Sequence, residues 1–276
     1  MKKGISFYFG YKTDPKVRAE KIANAGFDCV ISSFDKNFNH QNGTARFQVK
    51  QLKKHKLLPN SLHMTYKTSE LIYFWQDCKK GDEQEKSLIR DVKLAKKYGY
   101  SCVVVHLFGE PNPIGYNRLK RVLKVCEKTK IPLAIENIDD QNCFLRTFEN
   151  VESDYMLFCY DSGHNYLFDP DFDYLTKFKD KLICLHLHSN YGEKITDKQM
   201  EELNNFKKVK DLHTINKYGD IDWQDIAKKL AKIPREIVLD YEILMHANKN
   251  ETEEEVLNEV YQQACELEKM IESYKN

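Results

Sequence analysis

Short apolar runs and longer amphipathic stretches take turns along the whole chain. The apolar runs fall at residues 3–9, 27–33, 57–66, 101–107, 131–136, 155–161, 182–188 and 236–242. Each has the length and composition of a buried strand. Between them lie charged segments with helical spacing. The first opens at Asp14-Pro15, carries Val17, Ile22 and Ala23 on one face, and stops at Gly26. Others cover 46–55, 83–97 before Gly99, 116–128, 144–151, 172–178 and 222–231, the last announced by Gly219-Asp220-Ile221. A final helix runs from Thr252, where Glu255 completes a capping box, to about residue 274. Strand followed by helix, eight times over, predicts a parallel α/β sheet, and eight is the count that closes a (β/α)8 TIM barrel. No linker or low-complexity tract interrupts the pattern, so residues 1–276 are expected to form a single domain. An open doubly wound sheet is the alternative, but no G-x-G-x-x-G follows the first strand.

One connection breaks the compact rhythm. Residues 190–218, after the seventh strand, far exceed an ordinary βα loop. Within them Thr196-Asp197-Lys198-Gln199 reads as a capping box, and Met200, Leu203, Phe206 and Val209 recur at helical spacing. A helix packed on the surface would account for this stripe. A lid inserted over the barrel mouth would account for its length as well, since long loops in compact domains are often functional.

Composition narrows the classes of partner. An apolar fraction of 41% supports a full core, and 43 basic against 42 acidic residues leave a formal net charge of +1. No global field would gather nucleic acid or an anionic membrane. No apolar stretch approaches the length of a membrane span, and Met1-Lys2-Lys3-Gly4 is not followed by a signal-peptide core, so a cytoplasmic location is expected. The eight cysteines are scattered, without a C-x-x-C pair, which fits reduced thiols better than a disulfide framework.

The chemistry gathers where strands end. The ends of six strands carry His63, His106, Glu136, Asp161, His186 and Glu242. In a barrel of this kind side chains converge at the C-terminal ends of the strands. Any one of these residues has a structural explanation, such as a cap, a loop hydrogen bond or a satisfied core imidazole. Six at equivalent positions are hard to dismiss as coincidence, because a carboxylate after an apolar run such as Leu133-Ala134-Ile135 needs a partner or a metal. The stretch Leu185-His186-Leu187-His188-Ser189-Asn190 adds a second imidazole on the face of His186, and Asp211-Leu212-His213 follows downstream.

These segments, with Leu62-His63-Met64, Val105-His106-Leu107, Ala134-Ile135-Glu136-Asn137, Asp161-Ser162-Gly163-His164, Gly219-Asp220-Ile221-Asp222-Trp223 and Asp240-Tyr241-Glu242, resemble the xylose isomerase-like TIM barrels. That family includes sugar isomerases, ketose 3-epimerases and endonuclease IV, and the likeness extends over essentially the whole chain. It implies that Glu136, Asp161, His186 and Glu242 match the four-ligand site of the isomerases and epimerases. His63, His106, His164, Asp211 and His213 would match the remaining ligands of the three-zinc site of endonuclease IV. The implied cofactor is a divalent metal: Mn, Mg or Co for the carboxylate-rich set, shifting to Zn where the extra histidines join. For an isomerase or epimerase, Glu136 and Glu242 would move the proton while the ion polarises a carbonyl, with His164 beside them among the catalytic groups.

The substrate expected from the leading reading is a small sugar or sugar phosphate, and a homo-oligomer is compatible with it. The alternative is an endonuclease IV-like zinc phosphodiesterase acting on abasic DNA, favoured by the full set of nine matching positions. Against it stand Asp169, Asp171 and Asp173 after strand six, Ser189 where the endonuclease pattern has Asp, and Lys67 where it has an apolar wedge after the aromatic position filled here by Tyr66. Lys194, Lys198, Lys207, Lys208 and Lys210 in the long loop offer a grip for one sugar phosphate, or simply a solvated face.

Overall fold

The structure, a computed structural model, describes residues 1–65, 67–192, 196, 199, 211–244 and 251–275. Eight strands form one parallel sheet: β1 (Lys3–Ser6), β2 (Cys29–Ser33), β3 (Leu58–His63), β4 (Cys102–Val105), β5 (Leu133–Glu136), β6 (Met156–Asp161), β7 (Leu182–His186) and β8 (Leu239–Tyr241). Each strand pairs with its sequence neighbour, and β1 also pairs with β8. The ring closes between β7 and β8 through a single parallel bridge, Leu187 to Tyr241. There the Leu187 amide donates to Asp240 at 2.8 Å and the Glu242 amide donates to Leu187 at 2.9 Å. The expected TIM barrel is therefore the observed fold.

Helices wrap the sheet as the periodicity predicts, with starts and stops set by local chemistry. Asp14 caps Pro15–Asn24 by accepting from the Lys16 amide, and Pro15 needs no hydrogen-bond partner at that first position. Lys79–Tyr98 ends at Gly99, whose φ of 83° lies in the left-handed region that glycine enters without cost. Thr252 and Glu255 form the reciprocal capping box of Glu253–Ser273. Between helices and sheet lies one continuous core that includes Phe7, Val30, Leu62, Val103, Leu133, Phe158, Leu185 and Leu239.

The strands are shorter than their apolar runs, because several residues at each end are apolar for packing and not for pairing. Several short elements go beyond the expected pattern, among them Lys36–Phe38, Asn39–Asn42 and Asn216–Tyr218. A helix at Ser162–Phe168 follows β6 directly, and a 3-10 segment at Thr68–Trp75 follows β3. Of the expected helix over 172–178, only Tyr174–Lys177 is helical. Most of the stripe expected as a lid, Met200 to Val209, lies outside the described residues, as do Tyr66 and the lysines of that loop. Thr196 and Gln199 are described and exchange capping-box hydrogen bonds of 2.8 and 3.3 Å.

Candidate metal centre

The C-terminal rim of the barrel brings all nine of the expected site residues together. Glu136, the last residue of β5, lies at their centre and is 1% exposed. Its Oε2 is 3.1 Å from His106 Nε2, 3.0 Å from His186 Nδ1 and 3.9 Å from His63 Nε2. Its Oε1 is 3.2 Å from His164 Nδ1. The same His186 Nδ1 is 3.3 Å from Glu242 Oε2. His213 reaches the same carboxylate, its Nδ1 lying 3.5 Å from Glu242 Oε2. Asp211 accepts from both sides, 3.1 Å from His164 Nε2 and 2.8 Å from His213 Nε2.

Strand register explains the convergence. Asp161 and His186 are paired residues of β6 and β7, and Glu136 is paired with Cys159 one step earlier on β6. His63 ends β3 beside Val104, two residues before His106. The seam between β7 and β8 then places His186 and Glu242 on adjoining strand ends.

The donors fall into adjoining groups, within each of which the ligand atoms lie within 4.8 Å of one another. His63, His106 and Glu136 make one. Glu136, Asp161, His186 and Glu242 make a second, and His164, His188, Asp211 and His213 a third. Glu136 belongs to the first two. A cation fits this arrangement on two independent grounds. Both oxygens of Glu136 and both ring nitrogens of His186 are buried without a hydrogen bond of acceptable geometry, although they are crowded by opposite charge. Such orphaned atoms are costly unless something else satisfies them. The donor set itself, carboxylate and imidazole at a barrel mouth, is that of a divalent ion.

Electrostatics point the same way. Burial raises Glu136, but the imidazoles of His106 and His186 outweigh it and hold the carboxylate well below its usual range. Glu242 is likewise raised by burial and lowered further by His186 and His213. Conversely, burial lowers His186, yet Glu242 and Glu136 push it well above the ordinary imidazole value. The carboxylates draw positive charge toward them, and the raised His186 imidazole answers that pull. His63 differs: burial and the neighbouring His106 pull it down to about 4.

His63, His106, His164, Asp211, His213 and Glu242 line a cavity of about 930 Å³, and Glu136, Asp161 and His186 lie buried behind them. Its upper wall is largely apolar, with Phe7, Ile31, Met64, Ile138 and Phe168, and Ser33, Asp35 and Asn37 add polar groups on the β2 side. The acidic loop after strand six contributes less to this mouth than its sequence suggests. Asp169 accepts from the Tyr174 hydroxyl at 2.7 Å, and Asp173 caps the short helix at Tyr174–Lys177.

Two buried neighbours of the site were not carried into the expected ligand set. His188 shares the face of His186, as strand alternation indicates, and is completely buried against Asp161 at 2.9 Å. Asp240 is buried within the barrel two residues before Glu242, accepting from Asn60 at 2.5 Å. Gly4 makes room for it, since a Cβ there would lie 1.7 Å from Asp240 Oδ1. The presence of His188 in a strand-end motif was a signal; nothing local marked Asp240 as buried.

Comparison with known proteins places this geometry. The profile of the family described as Xylose isomerase-like TIM barrel matches residues 19–262. A D-tagatose 3-epimerase-like protein superposes with a TM-score of 0.72 at 16% identity, over 99% of this chain and 98% of its own. An IolI protein with a bound zinc atom gives 0.69 at 16% identity over 99% of both chains. D-psicose 3-epimerase of Clostridium cellulolyticum H10, solved with D-tagatose, gives 0.66 at 12% identity over 100% of both. These identities establish a shared fold. Among curated sequences, the uncharacterized protein y4fM of Sinorhizobium fredii is 28% identical over 127 residues, and the match spans 44% of this chain and 36% of that relative's length.

Proposed function

Because this chain belongs to the xylose isomerase-like TIM barrel family, we propose that it is a metal-dependent isomerase or epimerase of a small sugar or sugar phosphate. One observation carries the reading. Two buried carboxylates, Glu136 and Glu242, flank His186 Nδ1 at 3.0 and 3.3 Å; Glu242 lines the large cavity, and Glu136 lies behind His106 and His164, which line it too. Glu136, Asp161, His186 and Glu242 would hold the ion. When bound there, a divalent cation supplies a Lewis acid for a substrate carbonyl and charge to stabilise an ene-diolate.

The chain's own groups supply the rest. Glu136 and Glu242 sit on strand ends three positions apart on the ring, and a sugar carbon held between them would present one face to each carboxylate. One takes the proton and becomes the carboxylic acid. The other, protonated from solvent beforehand, gives its own proton to the opposite face and so inverts a centre, whereas return of the captured proton to a neighbouring carbon moves a carbonyl. The surrounding imidazoles favour the ionised form of each, which suits whichever carboxylate accepts the proton. His164, whose Nδ1 is 3.2 Å from Glu136, is placed to pass a proton to or from that carboxylate. The apolar wall of Phe7, Ile31, Met64 and Phe168 limits water that would compete for the proton.

The fold relatives support this reading by name, two of them being called D-tagatose 3-epimerase-like protein and D-psicose 3-epimerase. A second reading, the zinc phosphodiesterase, is favoured by one specific observation: the donor groups adjoin one another through Glu136 and so suit clustered ions. The test is hydrogen exchange. Protein loaded in turn with Mn²⁺, Co²⁺, Mg²⁺ and Zn²⁺ is incubated in D2O with ketohexoses and their phosphates, and the C–H signal beside the carbonyl is followed by NMR. Deuterium should enter with the wild type and not with Glu136→Gln or Glu242→Gln, even where those variants keep some metal. No exchange with any sugar and any of the four metals would remove the proposal.

A further inference from the structure

We propose that His188 is a positioning residue that fixes the carboxylate of Asp161 in its metal-binding orientation; this rests on the metal-dependent reading above. The four residues from Asp161 to His164 are arranged around this one histidine. The Nε2 of His188 meets both Asp161 oxygens, at 2.9 and 3.0 Å. The Ser162 hydroxyl accepts from the His188 amide at 3.0 Å and donates to the His188 carbonyl at 2.7 Å. Gly163 leaves space for the ring, since a Cβ at that position would lie 1.9 Å from His188 Cε1. His164 sets its ring edge-on to His188 with centroids 5.7 Å apart.

The opposite face of the His188 ring is covered too. His213 stacks on it at 3.9 Å with an interplanar angle of 16°. The next residues lock the partner segment in place: the Ser189 amide donates to the Thr214 carbonyl at 2.8 Å, and Asn190 bonds Asp211 at 3.2 Å and the Leu212 amide at 2.5 Å. His188 is thus immobilised by both donor-bearing segments, 161–164 and 211–214, and its one ring nitrogen in hydrogen-bond contact is aimed at a carboxylate ligand. A ligand carboxylate free to rotate would present its lone pairs to the ion only part of the time. An N–H fixed by the fold holds them in one orientation, which is how hydrogen bonds to metal ligands raise affinity.

The geometry separates positioning from direct ligation by a choice of substitutions. His188→Gln keeps an N–H donor near the Nε2 position but offers no imidazole to a metal. His188→Leu keeps comparable bulk and offers no donor. Binding of Co²⁺ to the metal-free full-length proteins is measured by titration, with the visible absorption of the bound ion recorded and the number of ions per chain determined by elemental analysis. Thermal melting in chelator establishes that each variant is folded before comparison.

His188→Leu should bind the ion at the Asp161 group about 10–100-fold more weakly, with an altered absorption band, and His188→Gln should recover most of both. Equal affinity and spectrum for wild type and His188→Leu would overturn the proposal. So would a His188→Gln protein as weak as His188→Leu and short of one ion, which would make His188 a ligand. If His188→Leu does not fold, the comparison rests on His188→Gln, which should stay within about threefold of wild type; a loss beyond about tenfold overturns the proposal. Failure of the wild type itself to take up Co²⁺ would instead defeat the metal reading, and this inference with it.

Discussion

At the scale of single residues, the histidines divide by the charge they carry before any ion arrives. Burial lowers His213, but Asp211 beside it more than compensates and the imidazole is pushed up to about 9. His63 is pulled down to about 4. A metal entering the group of His164, Asp211 and His213 must therefore displace a proton from His213 at any pH below about 9, whereas His63 has none to lose at neutral pH. Affinity at the former group should fall about tenfold for each pH unit below 9 per proton displaced, and the His63 group should show no slope from its own titration between about pH 5 and 8. Calorimetric titration at several pH values, in buffers of differing ionisation enthalpy, counts the protons released; a pH-independent affinity with no release would refute this. The metal-free protein has a matching stability profile. His213 has a folded pKa above its ordinary 6.5, so its stabilisation is complete below 6.5 and is lost as pH rises through about 9. His63 is the reverse, its contribution present above 6.5 and lost as pH falls through about 4.

At the scale of elements, the segment Thr68–Trp75 shows how a wall of the site depends on distant packing. Ser69 from this segment lines the cavity, and the segment's far end is held by Arg118 from the helix Pro113–Thr129. Arg118 is 2% exposed and donates to the carbonyls of Phe74 at 2.9 Å and Gln76 at 2.6 Å, and to Asp82 at 2.7 Å. Replacing it with Met would remove its donors from the Phe74 carbonyl and Asp82 and leave the Gln76 carbonyl only the Cys78 amide at 2.9 Å. That should destabilise the fold by about 1–3 kcal/mol, read as a lower urea midpoint, with any metal affinity of the far strand ends unchanged. A midpoint unchanged from wild type would show that the clamp does not matter. This is also the kind of element that the sequence concealed. The eight strands were legible because each is an apolar run set off by charge, and the caps at Asp14 and Thr252 were legible because their hydrogen bonds are local. Thr68–Trp75 was not, since its stability comes from an arginine more than forty residues away. The candidate ligands could be read as strand ends, because register alone brings Asp161 beside His186. The work of His188 could not, because its contacts to Asp161, Ser162 and His213 join segments whose spacing in sequence says nothing of their meeting.

At the scale of the whole molecule, the seam between β7 and β8 and the charge at the mouth decide what can approach the donor set. The bridge of Leu187 to Tyr241 closes the ring between the strand ends that carry His186 and Glu242, so the two sides of the donor set are tied by backbone hydrogen bonds. Around the cavity above them stand Asp35, Asp139, Asp211 and Glu242, and Lys67 is the one lysine or arginine lining it among the described residues. The chain as a whole carries a formal charge of +1. Nucleic-acid binding draws most of its affinity from lysine and arginine placed along the phosphate backbone, and that term weakens steeply with salt. A compact sugar needs no such surface, only donors and acceptors within the cavity. The protein loaded with zinc should therefore leave duplex DNA containing an abasic site intact at physiological ionic strength, and lowering the salt should produce at most weak binding without a cut. The measurement is a gel assay of strand incision run across a salt series, with chelated protein as control. Incision that survives physiological salt, disappears on chelation and returns with zinc would show that the adjoining donor groups around Glu136 serve phosphodiester cleavage, and would put the second reading ahead of the first.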